Sequence, residues 1–317
     1  MSIASRFTNS WRLFKRSISV MAAHPKLLFF PVVMSLCTFA ILLFFLAPVA
    51  LQPTGHKYTE SAHWEAVANS VFTKESMDRA AATSSNEQTR ESLRLTPRGM
   101  VYVAVLYFVA MFLGTFFSTA FYHEILSALQ GGNVSVSSGL RFAASKLPTI
   151  LMWSLFAGAI GYLIKLLEER VGLIGKWVLR LIGISWSLAA VFAIPIIVAE
   201  DEKNPVAILK RSAATLKKTW GESLAGFVGI QFGGMLVILS TVILFVVGAI
   251  VSAYYQAPWL ILGLSVLWIV CLFAFFYTLS VASNIYRCAL YLFAAQGQIP
   301  GYFDRESMDL AWKMKKR

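Results

Sequence analysis

His56, Glu60 and His63 would share one helix face at spacings of four and three, and with Glu65 they could offer nitrogen and oxygen ligands to a divalent metal. Pro53 and Gly55 stand just before them and argue against a helix that starts so early, so a solvated loop is the expectation. Glu200, Asp201 and Glu202 could hold a cation or share a proton. Ahead of a helix N-terminus they read more simply as dipole partners and counter-ions of the basic segment that follows. His123 and Glu124 close an apolar run and read as an interfacial pair. Arg180 stands just inside another such run, where an arginine snorkels to the headgroups, pairs with Glu168 or Glu169, or lines a polar path. Gln231 and Asn284 are the other polar residues that such a path could use. No Ser-His-Asp order, nucleophile elbow, phosphate-binding glycine loop or zinc-protease helix occurs. No catalytic residue, cofactor or metal ligand is therefore assigned, and enzyme activity is not expected.

The elements that would position these residues belong to a membrane. Of 317 residues 57% are hydrophobic and only 14% charged, and several apolar runs exceed the roughly 18 residues that mark a spanning helix. Six spans are expected, over about 27–51, 99–122, 149–166, 178–198, 224–251 and 260–283. The first is too long for a cleaved signal peptide and is read as retained. Cys37 and Cys271 fall within apolar runs and Cys288 just past one, so buried thiols and no disulfide framework are expected. The chain reads as a single transmembrane domain, with 52–98 as a polar loop between the first two spans. That loop balances six basic against six acidic residues, and 61–82 is its helical candidate.

Three basic amphipathic segments precede spans, and each reads as an in-plane helix on a membrane surface. The first carries Ile3, Phe7, Trp11, Phe14, Ile18 and Met21 against Arg6, Arg12, Lys15 and Arg16, ending at His24-Pro25. The second sets Leu140, Ala144 and Leu147 against Arg141 and Lys146, ending at Pro148. The third follows an Asn204 N-cap and Pro205, with Val206, Leu209, Ala213, Leu216 and Trp220 apolar and Lys210, Arg211, Lys217 and Lys218 basic. With six spans, 18 Lys and Arg fall on the side of the termini and 9 on the other, which places both termini in the cytoplasm of a bacterial inner membrane. The net charge of +12 accompanies no nucleic-acid signature, so the expected partners are anionic lipid headgroups and not nucleic acid. Arg12, Lys15, Arg16, Lys210, Arg211, Lys217 and Lys218 are the headgroup contacts this reading names. Gly226, Gly229 and Gly233 form a small-residue face for close helix packing in the fifth span.

A family likeness rests on particular stretches: Gly114-Thr-Phe-Phe-Ser-Thr-Ala-Phe, Gly131-Gly132, Leu151-Met-Trp153, Trp186-Ser187, Pro195, Glu200-Asp201, Leu209-Lys-Arg-Ser212 and Lys217-Lys218-Thr219-Trp220-Gly221-Glu222. These resemble an uncharacterised prokaryotic family of polytopic membrane proteins, a domain of unknown function. The resemblance implies a six-span helical fold and carries over no chemistry. Two functional classes follow. A membrane-organising or interaction protein that forms a homo-oligomer uses the abundant lipid-facing and basic surfaces. The alternative is a transporter or channel-like pore, with Gln231, Ser240, Thr241, Thr278, Ser280 and Asn284 as its polar material.

Overall fold

Pro25 has no N–H to continue a helix, and at that point the first described helix, α1 over 14–23, gives way to a 3-10 turn, Pro25–Leu28. The computed structural model describes residues 14–75, 92–218, 223–256 and 258–303. After the turn come α2 (Phe29–Ala50), α3 (Ser61–Val71), the strands β1 (Phe72–Glu75) and β2 (Ser92–Leu95), then α4 (Pro97–Leu129) and α5 (Val136–Ser145). The chain continues through α6 (Leu147–Arg170), α7 (Leu173–Ala189), α8 (Ala193–Ala199), α9 (Pro205–Lys218), α10 (Ser223–Tyr254) and α11 (Pro258–Gln296). Among the described residues five stretches are long and apolar enough to cross a membrane: Pro25–Ala50, Pro97–Leu129, Leu147–Glu168, Gly175–Ala199 and Ile261–Gln296. The shorter Ile238–Tyr254 belongs to α10, whose 32 residues form one continuous helix.

The two longest helices do more than span. A bilayer core needs about 20 helical residues, whereas α4 has 33 and α11 has 39. Their surplus turns are where burial concentrates, over Phe117–Leu129 in α4 and Leu279–Leu292 in α11. Val20 of α1, Leu27, Ile150 and Trp153 of α6, Phe192, Ile196 and Ile197 around α8, and Ile208 and Leu216 of α9 complete that core. The core therefore sits at one end of the bundle. Elsewhere the helices present apolar side chains outward: Phe39 and Phe44 of α2, Leu244 and Val247 of α10, and Leu262 and Phe273 of α11 are all exposed. The most apolar stretch of α11 has none of its residues buried.

The α4 helix stops as its sequence requires. Gly131 takes φ +82°, its N–H bonds Ala128 O, and Gly132 N–H reaches back to Ser127 O at 2.8 Å, which satisfies carbonyls the last turn leaves open. The chain then folds back as α5, which crosses α4 so closely that a Cβ on Gly139 would lie 2.8 Å from Ala120 O and 2.9 Å from Glu124 Cγ.

Several expectations change in the structure. The fourth span is two helices, because the chain turns at 190–192 between α7 and α8. The 52–98 loop is not wholly helix and coil, since β1 and β2 pair antiparallel with Phe72 opposite Leu95. Only Ser61–Val71 of its helical candidate forms α3, and 76–91 lie outside the described residues. In α9 Leu216 of the expected stripe is buried and Leu209 packs against the core, joined there by Ile208, Ser212 and Thr215, while Val206 is exposed. In α5 the buried residues are Gly139 and Ala143, with Ala144 and Leu147 exposed. Both helices thus bury a face wider than the one that apolar counting picks out, because a serine, a threonine and a glycine join Leu140, Leu209 and Leu216 as contact residues.

Candidate functional site

The stretch from Pro195 to Ser212 is a joint built from polar caps. Where α7 breaks, Phe192 is fully buried, and its N–H, which no helix carbonyl receives, is donated to Ser212 Oγ of α9 at 3.0 Å. Ser212 is itself buried. Asn204 caps α9 through Oδ1, which accepts from Val206 N–H at 2.9 Å, and Glu202 Oε1 accepts from Asn204 N–H at 3.0 Å. Glu200 accepts from Tyr291 Oη of α11 at 2.9 Å and pairs with Arg211. Arg211 also reaches Glu202 at 3.6 Å, and those carboxylates hold its guanidinium more firmly protonated than usual. Lys146, after α5, donates to Asp201 at 2.9 Å and holds that carboxyl below the ordinary carboxylate range, mainly through the hydrogen bond.

A second polar set fastens α4 to α11. Tyr122 Oη donates to Asn284 Oδ1 at 2.8 Å and accepts from Arg287 Nη1 at 3.0 Å, while Asn284 Nδ2 donates to Ser280 O. Asn284 is thereby a strut in the seam between α4 and α11. At the next position, His123 stacks flat on Phe142 of α5, with ring centroids 3.9 Å apart and planes 8° off parallel. Glu124, almost fully buried, accepts from Ser135 N–H at 2.7 Å through Oε2 and places Oε1 3.9 Å from His123 Nε2. The expected interfacial pair is therefore close in space, and Phe142 is its unanticipated third member.

The remaining candidates have separate surroundings. Arg180 is exposed with Cζ 6.0 Å from the Trp177 ring centroid, an aromatic contact near the start of α7. His63 is buried between Tyr58 and Trp64. Its Nε2 faces Ala50 O at 2.9 Å, an acceptor only, so that nitrogen carries the proton and Nδ1 accepts from Thr54 Oγ1 at 2.6 Å. Both ring nitrogens are thus committed to tying the end of α2 to α3. His56 lies 3.7 Å from Glu60 on the surface, and no group of three metal-ligating side chains occurs among the described residues. Lys15 and Arg16 lie on α1, and Lys210 and Lys217 are exposed on α9. Arg211, grouped with them in the sequence, pairs with Glu200 and Glu202. Arg12 and the side chains of Lys218 and Gln231 fall outside what the structure describes, as do the surroundings of Gly226, Gly229 and Gly233.

Sequence reasoning missed Ser212, Tyr122 and Arg287 as structural anchors. A serine among basic residues and a tyrosine at the end of a span carry no periodic signal, although Arg287 just past an apolar run was a visible cue. The family of unknown function DUF6159 matches residues 98–301, and the chain belongs to that family. That range holds the α4–α5 fold-back, the α8–α9 joint and the α4–α11 seam. No curated protein and no solved structure matches the chain.

Proposed function

We propose that this chain is a six-span, non-catalytic protein of the bacterial inner membrane that assembles with copies of itself and grips the anionic leaflet at its cytoplasmic end. The carrying observation is segregation along the bundle axis. A buried helical core and the exposed Lys210 and Lys217 occupy one end, while the outer lengths of α2, α10 and α11 expose apolar side chains with little protein against them. Such helices need lipid or another subunit around them, because exposed apolar patches of this extent mark interaction surfaces. Counting α10 as a span gives six, returns the chain to its starting side and puts the basic excess inside. Native mass measurement in mild detergent tests the assembly: a discrete homo-oligomer is expected, and a monomer under all mild conditions overturns it.

A transporter or pore is the alternative, and the break between α7 and α8 is its one specific support, since transporters interrupt helices around their binding sites. Here the freed N–H of Phe192 is capped by Ser212 inside packed protein, and both residues are fully buried. A joint sealed in this way favours the scaffold reading.

A further inference from the structure

Two clefts meet at the His123–Phe142 stack. One, of about 450 Å³, follows the outer flank of α5 and is walled by His123, Ser137, Ser138, Arg141, Phe142 and Ser145. The other, of about 520 Å³, lies between α4, the end of α8 and α11, with Leu126, Val198 and Leu292 apolar and Gln130 and Gln296 polar. Ser137, Arg141 and Ser145 recur every four residues and so form one stripe on α5. Arg141 is exposed and has no ion pair among the described residues, in contrast to Lys146 and Arg211 at the same end. A guanidinium beside several hydroxyls suits the oxygens of a phosphate group, which it can hold with two parallel N–H bonds. An inorganic anion would leave the apolar wall of the neighbouring cleft with no role. A phosphate that continues into an acyl glycerol fills both.

We propose that the paired clefts hold one anionic phospholipid of the adjoining leaflet. Its phosphate lies against Arg141, Ser137 and Ser138, and its glycerol esters and first methylenes lie against Leu126, Val198 and Leu292. His123 offers an N–H at the partition. The assignment rests on the reading that this end of the bundle meets the cytosolic leaflet, and it adds a defined site to the diffuse grip of the exposed lysines.

The test is native mass spectrometry of the full chain taken from vesicles of phosphatidylcholine with a minority of phosphatidylglycerol. The wild type should keep one phosphatidylglycerol after the loosely bound lipid is stripped, and Arg141→Gln should weaken that retention by about tenfold, the cost of one charge-assisted hydrogen bond. Arg141→Lys, which keeps the charge, should restore part of it, and an unchanged melting temperature of both variants shows that folding is intact. Lys210→Gln with Lys217→Gln should lower the total lipid carried and leave the tightly held molecule in place. Loss of total lipid sensitivity in that double variant counts against the leaflet grip alone. Equal retention by the wild type and Arg141→Gln, or displacement of the retained lipid by millimolar inorganic phosphate, overturns the site.

Discussion

Ser212 shows how one hydroxyl can hold a membrane helix in two pieces. Its Oγ takes the N–H of buried Phe192, so Ser212→Ala leaves a donor with no partner and should cost about 1–3 kcal/mol, whereas Ser212→Thr keeps the hydroxyl and should cost less. Thermal unfolding in detergent reads the difference, and equal melting of Ser212→Ala and the wild type would contradict the cap. Asp201 gives a pH handle nearby. Its folded-state carboxyl is depressed by Lys146, so the stabilisation is present above the ordinary carboxylate value and is lost as pH falls through the depressed one. The pair is exposed and contributes little. Lys146→Gln should nonetheless flatten the acid limb of a melting-temperature profile, and an unchanged limb would mean that the pair does nothing in solution. The residues in these roles were partly legible. Asn204 and Pro205 announced a helix start and Glu200–Glu202 announced counter-charge, because capping and charge balance are local. Ser212, Tyr122 and Asn284 were not, because each bonds to a group 20 or more positions away.

Helix α5 carries the element-scale argument, since its closeness to α4 depends on Gly139. A methyl group there meets a backbone carbonyl at 2.8 Å, which cannot yield as a side chain can, so Gly139→Ala should destabilise by about 1–3 kcal/mol. Gly183 in α7 has nothing within 4 Å of an added Cβ, and Gly183→Ala should be neutral or stabilising by up to about 1 kcal/mol. The two melting curves should therefore move in different directions, and a parallel gain in both would show that helix propensity, not contact, decides. Apolar run length located the helix starts to within about five residues but not the ends, since the spans read as 99–122 and 260–283 continue as α4 to Leu129 and as α11 to Gln296. Periodicity was incomplete where a helix docks on protein through small or polar residues, as in α5 and α9: it found Leu140, Leu209 and Leu216, but Gly139, Ser212 and Thr215 are invisible to a count of apolar side chains. It also missed the turn at 190–192, since an apolar stretch reads alike whether one helix or two run through it.

At the scale of the molecule, the core gathers at one end and the apolar helices reach away from it, a division set by the surplus length of α4 and α11. If that end faces the cytoplasm, single cysteines placed in intact cells should be labelled from outside within 54–70 and only from inside within 205–217. Outside labelling of the second segment would invert the topology. A scaffold of this kind needs no aqueous route, and the break in the fourth span is closed by Phe192 and Ser212. The most direct measurement is current and solute flux across planar bilayers and vesicles that contain the purified protein. A body that works by assembly and lipid contact predicts no conductance above that of the empty membrane, while reproducible current or flux that changes with Gln231→Leu would contradict it and establish a pore.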